Sequence, residues 1–293
     1  MVQKCLVVGA GGQLGTELQR TVPQGYECRA VSRSELDIAD AGAVRALLAD
    51  YAPSQVFNAA AYTAVDKAES EPEAAALGNV EGPRVLAEAC AAAGVRLVHI
   101  STDFVFDGNA STPYTPEAPT GPIGEYGSSK LAGEHAVRKA LPDALIIRTG
   151  WVYSAHGNNI VKTLRRLRAE RARVTDGADQ VGTPTWAQGL ARAVWAAAAR
   201  PQLVGTYHWS DAGVCSWYDF AVAIGEEGAA LGLLDATIDV QPIAAIDYPT
   251  PAKRPAYSVL DKSASWRDFE LQGVHWRTQL RAMLQELKEL QDA

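Results

Sequence analysis

The sequence predicts an α/β fold, a Rossmann-like doubly wound parallel sheet with a smaller mixed α/β C-terminal lobe. Three observations lead there. Strand and helix patterns alternate five times before residue 150. The strands are short and almost wholly apolar, as strands covered on both faces must be. A glycine-rich turn follows the first of them.

The elements follow in order. Residues 4–8, KCLVV, form the first expected strand, and a helix is expected over 13–22. A second strand covers 27–31. Residues 41–51 read as an amphipathic helix, with Val44, Leu47 and Leu48 at helical spacing. QVFN (55–58) is a third strand, and a long Ala-rich helix runs over about 79–93. RLVHI (96–100) is the fourth strand, and a Pro/Gly/Thr loop spans 107–122. A helix then runs to about 138, and ALIIR (144–148) is the fifth strand. The crossovers are expected to be right-handed. Beyond Gly150 the rhythm loosens, with a basic helix over roughly 158–172 and further helices near 186–199, 216–231 and 275–290. Residues 1–150 are therefore expected to form a dinucleotide-binding domain, with roughly 173–200 returning to it, and 151–293 mainly a substrate-binding lobe.

The totals fit a soluble globular protein. The chain has 293 residues, 47% apolar and 21% charged, with a net charge of −7, which argues against a general nucleic-acid binder. No apolar run has the length of a membrane span or a signal segment. Cys5, Cys28, Cys90 and Cys215 are far apart, with no CxxC and no Cys/His cluster of zinc spacing, so free thiols in the cytoplasm are expected.

VVGAGGQLG (7–15) sets Gly9, Gly12 and Gly15 between the first strand and the first helix. A pyrophosphate needs bare N–H groups near a helix N-terminus, and a side chain there blocks its approach. The second strand ends in AVSRSELD. Arg33 there suits the 2′-phosphate of NADP, so NADPH is favoured and NADH is the alternative.

GEYGSSKLAGE (124–134) places Tyr126 four residues before Lys130 on an expected helix. The spacing alone is a weak signal. Its context, after the fourth strand and a long loop, gives it weight. A free tyrosine titrates near pH 10, and a cation one turn away is expected to lower that and make the phenol a usable proton donor. HISTDFVFDG (99–108) puts Thr102 at the C-terminal edge of the sheet, where a hydroxyl can hold a substrate oxygen. Asp103 reads equally as a turn cap or a contact to sugar hydroxyls. His99 reads as a satisfied core histidine. The run KTLRRLRAERAR (162–173) reads as a solvated helix face.

These stretches, with NAAAYTAVDKAESEPE (58–73), RTGWVYSAHGNN (148–159), DQVGTPT (179–185), SWYDFA (216–221) and YPTPAKRP (248–255), cover nearly the whole chain. Together they resemble the extended short-chain dehydrogenase/reductase family and, within it, reductases of the dTDP-4-dehydrorhamnose type. The resemblance implies hydride transfer from a nicotinamide cofactor to the C4 keto group of a dTDP-linked 6-deoxyhexose. It implies that Gly12, Gln13 and Leu14 meet the pyrophosphate, Asp37 and Ile38 the adenosine end, and that Ala60, Ala61 and Thr63 line the cofactor. Thr102, Tyr126 and Lys130 become the catalytic group, with Lys130 also on the nicotinamide ribose. Thr102, Asp103 and Trp151 become substrate contacts. Arg254 reads as a contact to the substrate diphosphate or as an exposed turn residue. Two positions depart from the pattern: Phe104 stands for a common tyrosine, and Gly124 for a common asparagine. Reductases of this type also dimerise, sometimes with a divalent ion, but the sequence offers no local ligand cluster. A reductase of another dTDP-4-keto-6-deoxysugar, of the dihydrostreptose type, and a non-catalytic regulatory subunit of the methionine adenosyltransferase type remain alternatives.

Overall fold

A computed structural model describes residues 2–157, 162, 173–234, 237 and 239–292. The basic run 162–173 lies outside the described residues apart from its ends.

The first half builds the sheet. The expected strands become β1 (Gln3–Val8), β2 (Tyr26–Val31), β3 (Gln55–Asn58), β4 (Arg96–Thr102) and β5 (Leu145–Thr149), but β2, at the sheet edge, carries Glu27 and Arg29 on an exposed side and is not covered on both faces. Between them lie α1 (Gln13–Arg20) and α2 (Ala41–Tyr51), then α3 (Val65–Ala68), α4 (Pro72–Ala76) and α5 (Gly82–Ala93), and finally α6 (Glu125–Ala140). Asp40 caps α2, its carboxylate accepting from the Gly42 and Ala43 amides at 2.9 and 3.0 Å.

The sheet has six strands rather than five. Gly205–His208 adds itself parallel to β5, giving the spatial order β2-β1-β3-β4-β5 and then this sixth strand. All neighbours pair in parallel. The direction of winding reverses between β1 and β3, so a crevice opens there at the C-terminal ends of the strands.

Apolar cores cover both faces. One packs Leu6, Val56 and Leu97 under α2, α5 and α6. The other packs Val7, Phe57 and Ile147 under α1 and the helix Ala187–Ala198. Arg96 ties that helix down, its guanidinium donating to the carbonyls of Ala197, Ala198, Arg200 and Leu203 at 2.9–3.2 Å. A separate core gathers Tyr153, Phe220, Leu280 and Leu284, with the helices Trp217–Ala230 and Trp276–Asp292 around it. Short strands complete this part, including Val152–Tyr153 beside Thr185–Trp186 and Arg173–Gly177 beside Asp239–Ile243.

The expected helix over 79–93 is interrupted at its start. Leu77–Glu81 is a π turn between α4 and α5. Pro83 explains it: with no N–H it cannot donate to the Asn79 carbonyl four residues back. α6 uses the freed carbonyl as a packing surface. A Cβ on Gly133 would lie 1.9 Å from the Asn79 oxygen, so only glycine lets the two backbones come this close. Gly133→Ala is accordingly expected to destabilise the fold by about 1–3 kcal/mol, read as a lower urea midpoint at an unchanged slope.

Candidate active site

A cavity of about 490 Å³ opens at the C-terminal ends of β1, β2 and β3. Gly9, Gly11 and Gly12 form its floor. Gly9 has φ +91°, and a Cβ there would meet the Ala60 nitrogen at 2.7 Å. Gly15 is equally constrained, its missing Cβ falling 2.0 Å from the Gly9 oxygen. Gly12 differs: it N-caps α1 with no side-chain acceptor, leaving the helix amides bare toward the cavity. This is an anion cradle at the positive end of a helix.

Arg33, Asp37, Ile38, Ala60 and Ala61 all line the same cavity. Three expected residues do not. Leu14 is buried in the core, and Thr63 is exposed, outside the lining. Gln13 turns its amide to the Val152 carbonyl at 3.4 Å. The far wall was not anticipated: Tyr62, Glu71, Ala74, Leu77 and Gly78 close it. Tyr62 is pinned there by its hydroxyl on Glu71 at 2.6 Å and by its backbone on the Asn79 side chain.

The second cluster stands at the end of β4. Thr102 and Asp103 are buried, and Thr102 Oγ1 donates to Asp103 Oδ1 at 3.1 Å while accepting from the Phe104 amide at 3.2 Å. α6 brings Tyr126 close to the Thr102 hydroxyl. The Phe104 ring meets Tyr126 edge-on, with centroids 5.5 Å apart. Lys130, one turn on, is buried and donates its ammonium to the Ile100 carbonyl at 2.7 Å.

The charges differ from expectation. Burial pushes the Tyr126 phenol up to about 12; the nearby Thr102 hydroxyl draws it partly back, and the Asp103 charge pushes it further up. Among the described residues no hydrogen bond joins Lys130 to Tyr126, because the ammonium is directed at β4. Burial lowers Lys130 to about 8, against the pull of Glu134. Glu134 is itself held down to about 2 by Arg148, against burial. The two are a buried pair, Nη2–Oε2 2.8 Å and Nε–Oε1 2.9 Å. His99 is a core histidine, on Asn58 at 3.0 Å and pushed down to about 3 by burial.

Trp151 lies just past β5. Its backbone is left-handed, φ +51°, and its ring stacks on Trp217 with centroids 3.6 Å apart. Arg254 is not a free cation. Its guanidinium grips Asp66 with two bonds, at 3.0 and 2.8 Å, and also reaches Thr250 and the Ala252 carbonyl.

The fold also gathers residues that the sequence keeps far apart. Glu17, His156 and Glu286 bring three potential metal-ligand atoms within 4.8 Å of one another. Arg20 pairs with both glutamates, and Ser154 donates to Glu17 at 2.9 Å.

The protein-family model described as the RmlD substrate binding domain matches residues 3–289. The chain belongs to the RmlD substrate-binding-domain family. A dTDP-4-dehydrorhamnose reductase of Streptomyces griseus is 44% identical over 94% of this chain and 91% of its own. The spore coat polysaccharide biosynthesis protein SpsK of Bacillus subtilis is 42% identical over 97% of each. A crystal structure of dTDP-4-dehydrorhamnose reductase from Bacillus anthracis in complex with NADP superposes with a TM-score of 0.91 at 34% identity, over 98% of this chain and 100% of that one. The bare amides and glycine floor of the cavity fit the pyrophosphate of a dinucleotide. Among the described residues no helix is long and apolar enough to cross a membrane.

Asp103 supplies a pH test. Burial raises its carboxyl from 3.8 to about 6, with the Ser258 and Thr102 hydroxyls opposing. Its folded pKa lies above its unfolded one, so its contribution is complete below about pH 4 and is lost as pH rises through about 6. Replacing it with Asn should remove roughly 3 kcal/mol of pH dependence over that window, measured by urea unfolding of both proteins at stepped pH.

Proposed function

We propose that the chain is an NADPH-dependent dTDP-4-dehydrorhamnose reductase, which converts dTDP-4-dehydro-L-rhamnose to dTDP-L-rhamnose. The observation that carries this reading is the meeting of Tyr126, Thr102 and Lys130 at the end of β4, on the same sheet edge as the glycine cradle. The functions named for the full-length relatives support the substrate class.

The cofactor, when bound, supplies hydride. The chain supplies the rest. The bare amides at the start of α1 and the Gly9–Gly12 floor hold the pyrophosphate, and Ala60 and Ala61 flank the dinucleotide. Thr102 fixes the sugar carbonyl by hydrogen bonding. Tyr126 gives its phenolic proton to the C4 alkoxide oxygen. Its high pKa suits that step, since the phenol is protonated at neutral pH and the alkoxide is the stronger base. Lys130 then lies one turn away as a cation that stabilises the phenolate. Asp103 and Trp151 contact the sugar nucleotide.

Activity is tested by NADPH oxidation with dTDP-4-dehydro-L-rhamnose, the product's stereochemistry being read by NMR. Product with another configuration at C4 would favour the dihydrostreptose-type alternative. Tyr126→Phe should lower kcat by about 100-fold or more while binding NADPH as the parent does. A variant with near-parental kcat would remove Tyr126 as the donor.

Cofactor preference is carried by Arg33, which lines the cavity at the end of β2. Arg33→Ala should raise the KM for NADPH about tenfold and leave that for NADH nearly unchanged. Equal losses with both cofactors would mean that Arg33 does not read the 2′-phosphate. Homodimers are part of the same proposal, with sedimentation as the measurement.

A further inference from the structure

We infer that Glu69 is a positioning residue for Tyr126, capping the helix that carries the tyrosine from across the cavity wall. The inference rests on the reductase reading for its kinetic part only.

α6 begins without a cap of its own. Its N-cap residue is Gly124, which has no side chain to accept from the first amides. The second helical residue is Tyr126, so fraying of this first turn moves the phenol directly. Glu69 fills the gap from another part of the chain. Its Oε1 accepts the Glu125 amide at 2.9 Å. A carboxylate is well suited to this place, since it meets the positive end of a 16-residue helix.

The segment that leads into Glu69 is tied down at two points. Just before it, α3 carries Asp66, which accepts the Ala252 amide and grips Arg254 with two bonds. Earlier still, Tyr62 lines the cofactor cavity and exchanges two backbone bonds with the Asn79 side chain, at 2.9 and 3.0 Å. Asn79 also donates to Ser129 Oγ at 3.0 Å, and Ser129 donates to the Tyr126 carbonyl at 2.8 Å. Residues 62–71 thus form a strap. It touches the cofactor cavity at both ends, through Tyr62 and Glu71, the 250–254 segment in its middle, and the tyrosine's helix through Glu69. The placement of Tyr126 is set by the piece of chain that walls the cofactor.

The geometry also says how a substitute would work. A Cβ on Gly124 would lie 2.9 Å from Glu69 Oε1. A local cap and the distant one therefore compete for the same space. Removing Glu69 opens the room that a serine at 124 needs, and serine is a good N-cap.

The experiment compares wild type, Glu69→Ala, Glu69→Gln and the double variant Glu69→Ala/Gly124→Ser. Amide exchange at residues 125–128, NADPH affinity by fluorescence titration, and kcat with the 4-keto sugar are measured for each. Glu69→Ala should exchange these amides about fivefold faster and lose about tenfold in kcat, with NADPH affinity unchanged. Glu69→Gln keeps an acceptor oxygen and should retain most of both. The double variant should recover slow exchange and most of kcat. Unchanged exchange and kcat in Glu69→Ala would overturn the inference. So would a double variant that regains slow exchange but not kcat. If wild type shows no turnover of the sugar, the reductase reading fails, while the exchange comparison still decides whether Glu69 is the cap.

Discussion

The seating of α6 on the π turn is the constraint on which the site depends. Pro83 withholds one amide, the chain widens by a residue at 77–81, and the Asn79 carbonyl is left to face outward. Gly133 lets α6 come against it with no side chain between. From that depth α6 can lay Lys130 on the Ile100 carbonyl and Tyr126 beside Thr102. A helix standing even a methyl group farther out would separate both side chains from β4. The Asn79 side chain extends the same junction to the cavity wall at Tyr62. Backbone proximity, more than any charge pair, sets where the reactive groups stand.

The electrostatics follow from that depth. Arg148, Glu134 and Lys130 form a buried row of alternating charge, with Glu134 one helical turn beyond Lys130. A buried pair such as Arg148–Glu134 contributes little net stability, but removing one partner leaves a bare charge and costs about 3–5 kcal/mol. Its effect here is to favour the ammonium of Lys130 in a place where burial opposes it. The sequence argument put the action of lysine in the resting state, as a lowered phenol pKa. The structure shows a phenol held high by burial instead. A phenol that stays protonated at neutral pH is matched, in the reaction proposed above, to an alkoxide, which is the stronger base.

Much of this was legible in the sequence because it is local. The glycine turn, the five apolar strands and the Tyr–Lys pair are each written within a dozen residues, and the period of each matches its element. What was missed is long-range. The strand Gly205–His208 is too short and mixed to announce itself, and it is defined by pairing with β5. The π turn needed Pro83 to be weighed against Asn79. Arg254 read as a free cation because Asp66, its partner, lies far back in the chain. The grouping of Glu17, His156 and Glu286 joins α1 to the last helix, which no spacing rule reaches. Glu69 carried no signal beyond the bare Gly124 that it serves.

The junction after β5 shows why the second part of the chain cannot be treated apart from the site. The chain leaves the sheet through Gly150 and Trp151. A Cβ on Gly150 would fall 2.5–2.7 Å from the Asp103 carboxylate, so a side chain there would displace Asp103 and its bond to Thr102. Trp151 holds a left-handed backbone, a conformation that costs a non-glycine residue about 1–3 kcal/mol. Several contacts hold it in place. Trp217 stacks on its ring, Gly182 leaves room beneath it, and Thr185 bonds to the carbonyls of Trp151 and Gly150. All three come from the later chain. The strained exit from β5 therefore persists only while those later elements are docked, and the same exit fixes the space beside Asp103. The geometry at the end of β4 is thus a property of both parts at once, and neither half of the sequence alone contains it.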